Sequence, residues 1–418
     1  MGIIPTKGFR AHTQMRLEPG EMLQNVTLCY VLPPPPPALF RQMTSSNPKP
    51  ATIRHMPEGS VIRLNLANAA YEITVRPDIL HNAGPMVAAL AKSPRVAIVT
   101  DSNVGPLHAK TLTDSLESAG LEPIIATIPA GEANKNLRAL LPIYDQLLSA
   151  RLERSTPLIA LGGGVVGDMA GFVAATILRG IPLIQMPTTL LAMVDASIGG
   201  KTGVDHAMGK NLIGAFHQPV AVLIDPKTLL TLPPREFRSG LAECIKHDLI
   251  RDAVGFAALE KNLDRILARD ISDLSDLIAH NVAIKARVVE ADPFEKGERA
   301  HLNFGHTFGH AIESVSQFSY AHGEAIALGM TAAAFTSMKL GLLTDADFRR
   351  IKALLERAGL PTYGLTLNGD AIIQSMQFDK KVKSGRIRFV LLDGIGRAVI
   401  RDDVPASLVR EAVESLRA

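Results

Sequence analysis

The chain has 418 residues, 47% of them hydrophobic and 20% charged, which is enough for two domains with sizeable cores. Against 44 basic residues stand 41 acidic ones, a balance that excludes a nucleic-acid surface or a membrane-adsorbed face as the main business of the molecule. Two cysteines, Cys29 and Cys244, support neither a disulfide framework nor a cysteine metal site, and no apolar run reaches the ~18 residues of a membrane span, so a cytosolic protein is expected.

Residues 1–60 carry the unbroken Pro33–Pro37 run without a sustained apolar period, and read as a disordered or polyproline-like extension. From Val61 short apolar or β-branched runs alternate with helical stretches: Val61–Leu66, Tyr71–Val75, Val96–Thr100, Pro123–Ile128, Leu158–Leu161, Leu183–Met186 and Val220–Ile224. That order predicts an α/β N-terminal domain over 61–225, Rossmann-like with a mostly parallel sheet, whose ligand lies beyond the carboxyl ends of the strands. After Asp225 strands almost vanish, and long amphipathic segments at Pro234–Ile250, Val254–Leu267, Ile271–Val289 and Ala325–Lys339 predict a largely α-helical C-terminal domain over 226–418. A late hairpin is expected from Ile387–Leu392 and Ala398–Arg401.

Gly162-Gly-Gly164-Val-Val-Gly167 satisfies Gly-x-Gly-x-x-Gly, follows an apolar strand and opens the helix expected at Val166–Ile177. Glycines there let the backbone approach a pyrophosphate while helix amides donate to it. The acidic residue expected about 20 positions on is missing, so a tight structural turn fits the same residues. Asp101, at a strand end, suits ribose hydroxyls and equally suits a helix cap. Gly199-Gly200-Lys201-Thr202 looks like the end of a P-loop, but the first glycine of such a loop would fall at position 195, which is aspartate.

Four of twelve histidines crowd into His301, His306, His310 and His322, with Glu243 upstream. If 306–316 is helical, His306 and His310 share one face and can converge on a common ligand, although ordinary helix-surface or capped core histidines show the same spacing. Imidazole plus carboxylate suits Zn²⁺. His247, four residues after Glu243, is a rival ligand by spacing.

Leu302-Asn-Phe-Gly-His306-Thr-Phe-Gly-His310-Ala-Ile-Glu and His322-Gly-Glu-Ala resemble the C-terminal signature of the 3-dehydroquinate synthase family. Leu161-Gly-Gly-Gly-Val-Val-Gly-Asp168, Met186-Pro-Thr-Thr-Leu-Leu-Ala-Met-Val-Asp195, Ile198-Gly-Gly-Lys201-Thr-Gly, Gly209-Lys-Asn-Leu-Ile-Gly-Ala-Phe216 and Gly240-Leu-Ala-Glu243 follow in the family's order, and the likeness covers roughly residues 65–400. The resemblance implies NAD, contacted by Asp101, Asn103, Glu132, Lys135, Gly163, Gly164, Val165, Asp168, Thr188 and Thr189, with Lys201 and Lys210 alongside. It implies Zn²⁺ or Co²⁺ on Glu243, His306 and His322. Catalytic roles pass by the same resemblance to Asp195, Lys201, Lys246, Lys285, Arg299, Asn303 and His310, and substrate binding to Arg179, Lys210, Asn211 and Lys380, with Lys381 an alternative to Lys380. The position of Arg179 in the family reaches a neighbouring subunit's site, which implies a homodimer.

The implied reaction converts 3-deoxy-D-arabino-heptulosonate 7-phosphate to 3-dehydroquinate and phosphate, by transient oxidation, phosphate elimination, re-reduction, ring opening and an aldol closure. Rival readings are another sugar-phosphate cyclase, of valiolone or deoxy-inosose synthase type, a metal-dependent polyol dehydrogenase, and a catalytically silent scaffold. Lys285, Arg299, Asn303 and His310 are kept in the dehydroquinate-synthase form.

Overall fold

The computed structural model describes residues 52–417 apart from 57, 68, 296, 378–381, 384 and 385. An antiparallel run comes first, β1 (Ile53–Met56), β2 (Gly59–Leu66) and β3 (Ala69–Val75). Alternation follows with α1 (Ala83–Leu90), β4 (Arg95–Asp101), α2 (Lys110–Ser118), β5 (Glu122–Ile128), α3 (Leu137–Ser149), β6 (Leu158–Gly162), α4 (Gly164–Thr176) and β7 (Leu183–Pro187). A separate hairpin, β8 (Lys201–His206) with β9 (Gly209–Phe216), precedes β10 (Ala221–Ile224). The sheet order is β1-β2-β3-β10-β7-β6-β4-β5, and every pairing from β3 to β5 is parallel.

The continuous apolar runs have a simple cause. Ala97, Val99, Leu158 and Ala160 pack into one core with α3 and α4, while Val96, Ile98, Ile159 and Leu161 pack into another with α1 and α2. Strands covered on both faces have no polar side to alternate with. β4 has β5 on one flank and β6 on the other, so the chain reverses its direction of travel across the sheet there. A crevice opens at such a point beyond the strand ends, and here it lies between Asp101 and Gly162.

Helices dominate after β10: α5 (Pro234–Arg251), α6 (Ala253–Leu267), α7 (Ile271–Ala291), α8 (His306–Val315), α9 (His322–Lys339), α10 (Asp345–Arg357), α11 (Gly369–Gln377) and α12 (Ala406–Glu414). Asp252 and Asp270 cap α6 and α7 by accepting from backbone amides of their first turns. One apolar cluster runs from Ile62, Ile73 and Val222 of the sheet into Leu241, Val282, Ile312 and Ile326 of the helices; α7 lies directly on β2 and β3, and α5, α8 and α9 join the same apolar mass.

Three expectations are corrected. Strand pairing begins at Ile53, ahead of the boundary placed at residue 60; β1 buries little of its side chains and is held by backbone pairing to β2, which leaves no apolar pattern to read. The hairpin β8–β9 was not foreseen. Finally, α5 and α9 are buried nearly all round rather than amphipathic, and the polar residues within α5, among them Glu243, Lys246, His247 and Asp248, face other groups and not water. The late hairpin forms between Phe389–Leu392 and Ala398–Arg401, with Ile387 outside it. The rest of the 1–60 extension, and Lys380 and Lys381, lie outside the described residues.

Candidate active site

His306 and His322 are each the first residue of a helix, α8 and α9, and Glu243 comes from the middle of α5. Gly305 turns the chain into α8 at φ 77, where an added Cβ would lie 2.6 Å from Met330 Cγ and 2.8 Å from its amide nitrogen. Only glycine tolerates both the dihedral and the contact. His306 Nε2 is 3.7 Å and His322 Nε2 3.5 Å from Glu243 Oε1. The opposite ring nitrogens are tied off, His306 Nδ1 to the Phe304 carbonyl at 3.1 Å and His322 Nδ1 to Glu313 Oε1 at 3.2 Å. Both partners can only accept, so each Nδ1 donates and each Nε2 is aimed inward at Glu243.

Glu243 is fully buried, yet its Oε1 has no hydrogen-bond partner. A buried carboxylate oxygen without a hydrogen-bond partner, facing two imidazole Nε2 atoms, is a ligand set for an electrophile, and a divalent cation with three protein ligands and an open position fits it. The ligand atoms of Glu243, His306 and His322 all lie within 4.8 Å of one another, so the residues fit the ion. His310 packs edge-on against His306, ring centroids 5.1 Å apart, but the group that closes is completed by His322, from the next helix.

Asp195, Glu243 and His247 form a second such group. Its carboxylates already hold cations: Lys285 pairs with Asp195, and Lys246 with Glu243. A metal there would meet two ammonium groups, whereas the first group meets only Lys246. His247 Nδ1 is engaged by Asn281 Oδ1 at 3.1 Å, and its Nε2 stands 3.9 Å from Asp195 Oδ1.

Electrostatics follow this arrangement. Burial would raise Glu243, but Lys246, His322 and His306 hold it well below the usual carboxylate range. Burial, seconded by Lys246, keeps His306 far below the imidazole range and lowers His247 to about 3. Burial opposes protonation of His322 too, yet the carboxylates of Glu243 and Glu313 outweigh it and raise His322 to about 10. A cation bound there takes the place of that proton. Asp195 stays ionised because Lys285 and Lys246 override its burial, while burial lowers Lys285.

Around this centre the predicted cations gather. Arg299 is 2% exposed and donates through Nη1 to the Pro293 carbonyl at 2.6 Å. Lys201, the first residue of β8, pairs with Glu295, which also accepts from Asn303 Nδ2 at 2.9 Å. Glu295 is a residue the sequence reading missed; it sits between motifs at φ 57, and its partner lies far away in the chain. Lys210 reaches Glu132 Oε1 at 3.3 Å and stacks over Phe318, 4.3 Å from the ring centroid. Buried Lys135 bridges Asp168 Oδ2 at 2.5 Å and Asn211 Oδ1 at 2.6 Å. Burial outweighs that lysine and raises Asp168 to about 6.

At the crevice, Gly163 and Gly164 open α4; a Cβ on Gly163 would lie 3.0 Å from Thr189 Cγ2, and one on Gly164 would lie 3.4 Å from Ala196 Cβ. Val165 follows in the same first turn. Thr188 donates its amide to the Gly162 carbonyl at 2.9 Å and keeps a buried hydroxyl without a partner. Glycine backbone at a helix N-terminus beside an unpaired hydroxyl fits a dinucleotide's phosphates and ribose. Asp101 Oδ1 accepts from the amides of Asn103 and Val104, both at 2.8 Å, so the cap is formed; its other oxygen is not part of that cap. Arg179 stands apart. It follows the far end of α4, about 20 Å from the glycine turn by helix rise, in a left-handed run with Leu178.

Family models described as 3-dehydroquinate synthase N-terminal and C-terminal match residues 125–239 and 240–382. The chain belongs to the 3-dehydroquinate synthase family. Relatives named 3-dehydroquinate synthase include one from Nostoc punctiforme, 47% identical over 85% of this chain and 99% of the relative, and one from Nitrosospira multiformis, 50% identical over 76% and 87%. Among solved structures, a 2-epi-5-epi-valiolone synthase from Streptomyces hygroscopicus with NAD⁺ and Zn²⁺ bound is 30% identical, with TM-score 0.78 over 84% of this chain and 98% of that one. A 2-deoxy-scyllo-inosose synthase complexed with carbaglucose-6-phosphate, NAD⁺ and Co²⁺ is 26% identical, also at TM-score 0.78, over 85% and 99%. Glycerol dehydrogenase from Schizosaccharomyces pombe, at 16% identity and TM-score 0.55, shares the fold alone. The 3-dehydroquinate synthase relatives thus stand well above both the other cyclases and the polyol dehydrogenases in identity.

Proposed function

We propose that this protein converts 3-deoxy-D-arabino-heptulosonate 7-phosphate to 3-dehydroquinate and phosphate, with NAD and Zn²⁺ or Co²⁺ as cofactors. The observation that carries the reading is the buried Glu243 carboxylate, its free oxygen facing the Nε2 atoms of His306 and His322, in a chain of this family. Glu243, His306 and His322 would hold the cation, and the glycine turn with Thr188, Asp168 and Lys135 would hold the dinucleotide. When bound, the dinucleotide supplies a hydride acceptor that is restored within each cycle, and the cation supplies Lewis acidity toward substrate hydroxyls.

The protein's own residues do the rest. A substrate with a carboxylate and a phosphate needs fixed cations in a dry site, and Lys201, Lys210, Lys285 and Arg299, with Asn211 and Asn303 as neutral donors, form that clamp. Lys246 neutralises Glu243 on the side away from the imidazoles, and Asp195 orients Lys285. His310, edge-on to His306, takes by family likeness the role of holding or passing a proton at the substrate. Lys380 adds a phosphate contact by family likeness. Arg179, at the end of α4 away from the glycine turn, is assigned by family likeness to the site of a second copy in a homodimer. The pathway is aromatic biosynthesis in the cytoplasm.

The test is phosphate release from the heptulosonate phosphate with catalytic NAD⁺, before and after chelation. Release is expected to need trace NAD⁺ and to stop when metal is removed. Release that consumes NAD⁺ stoichiometrically, or that survives complete metal removal, contradicts the reading.

A further inference from the structure

Two glycines, Gly199 and Gly200, complete the stretch between the helical turn Ala192–Ala196 and Lys201 at the start of β8, and both have positive φ, 96 and 67. A Cβ on Gly199 would lie 2.7 Å from Arg299 Nη2, so this backbone forms one wall of the arginine's slot. The linker is tied at three of its backbone polar atoms: the Gly199 amide donates to Tyr71 Oη at 3.2 Å, its carbonyl accepts from Gln218 Nε2 at 3.3 Å, and the Gly200 carbonyl accepts from the His217 amide at 2.8 Å. Tyr71 comes from β3, is 3% exposed and lies 128 residues from Gly199. Burial pushes its phenol up to about 12, against the Gly199 hydrogen bond and Arg299, so the hydroxyl keeps its proton. For core packing alone a phenylalanine would serve. The hydroxyl is explained by what it touches.

We infer that Tyr71 is a positioning residue of the substrate clamp: its hydroxyl fixes the Gly199–Gly200 linker, and thereby sets the spacing of Asp195, Lys201 and Arg299 around the anionic substrate. The inference rests on the reaction proposed above. Tyr71 touches neither the metal ligands nor the glycine turn, so its effect separates from cofactor binding.

The experiment compares full-length parent and Tyr71→Phe, each loaded with zinc and NAD⁺, in the phosphate-release assay. Losing one buried hydrogen bond is expected to raise KM for the sugar phosphate about fivefold. The turnover number should stay within about twofold, since Tyr71 touches neither the metal ligands nor the glycine turn. Zinc content and NAD⁺ affinity should match the parent, and the melting temperature should fall by no more than a few degrees, as one lost buried hydrogen bond entails. Unchanged KM overturns the inference, as does a loss of activity that tracks zinc content or NAD⁺ affinity, because Tyr71 is then structural only. A parent that releases no phosphate overturns both the reaction and this inference, whereas an active parent with an unaltered variant overturns the inference alone.

Discussion

Lys201 and Glu295 lie 94 residues apart in the chain and form an ion pair in the fold. The same carboxylate holds Asn303, so one residue pins two members of the substrate clamp. Glu295→Ala is expected to lower kcat/KM about tenfold, because two donors lose their common acceptor. Glu295→Gln should fall between parent and alanine, since an amide oxygen still accepts from Asn303. Steady-state kinetics on the three proteins give the order; an alanine variant equal to the parent refutes the pinning role.

Removing one of three ligands should release the ion. His306→Ala is expected to lower metal affinity at least about 100-fold and to abolish turnover with it. Metal analysis after gel filtration, paired with phosphate release, decides the matter. Retained zinc at near-normal rate would mean that the cation sits elsewhere, with Asp195, Glu243 and His247 the next group to test.

Arg179 offers a test across subunits. Arg179→Ala and His306→Ala should each be inactive alone. Refolded together in equal amounts, they should recover about a quarter of parental sites, since half the dimers are mixed and each mixed dimer has one complete site. No recovery, with mixed dimers demonstrated, argues that Arg179 serves its own chain.

Stability should carry a pH signature from a pair to which the proposed reaction gives no role. His280 Nε2 bonds buried Asp248 at 2.7 Å, with Asp252 at 3.9 Å and Arg287 also acting on it; the bond to Asp248 raises His280 above 6.5. A raised folded-state value stabilises below the unfolded value, and the contribution fades as pH climbs through the folded one. Burial raises Asp248 as well, which acts in the same direction. The melting-temperature difference between parent and His280→Gln should therefore be largest at about pH 5.5 and shrink toward about pH 9. A difference that grows with pH refutes the assignment.

Legibility in the sequence followed burial. Strands β4, β6 and β7 were readable because both faces are covered, which leaves unbroken apolar runs. The β8–β9 hairpin was not, because Gly203 and Gly214 face each other across the ladder and the exposed side of β9 carries Leu212 and Phe216, so neither period appears. Buried on nearly every side, α5 showed its helical length but no true amphipathic stripe. At the site, spacing alone pointed to His306 with His310, whereas the fold completes the set with His322 from a helix that begins 16 residues further on. Family motifs supplied that partner. Glu295 and Tyr71 had no local mark, since Glu295 pairs with Lys201, 94 residues away, and Tyr71 with Gly199, 128 residues away.

The three ligand-bearing helices are seated in a shared apolar mass before any ion arrives. Stripping the metal should thus silence the catalyst without melting it, and the emptied protein should take up zinc, cobalt or another divalent ion on simple addition, which makes the choice of ion a matter of supply in the cell more than of architecture.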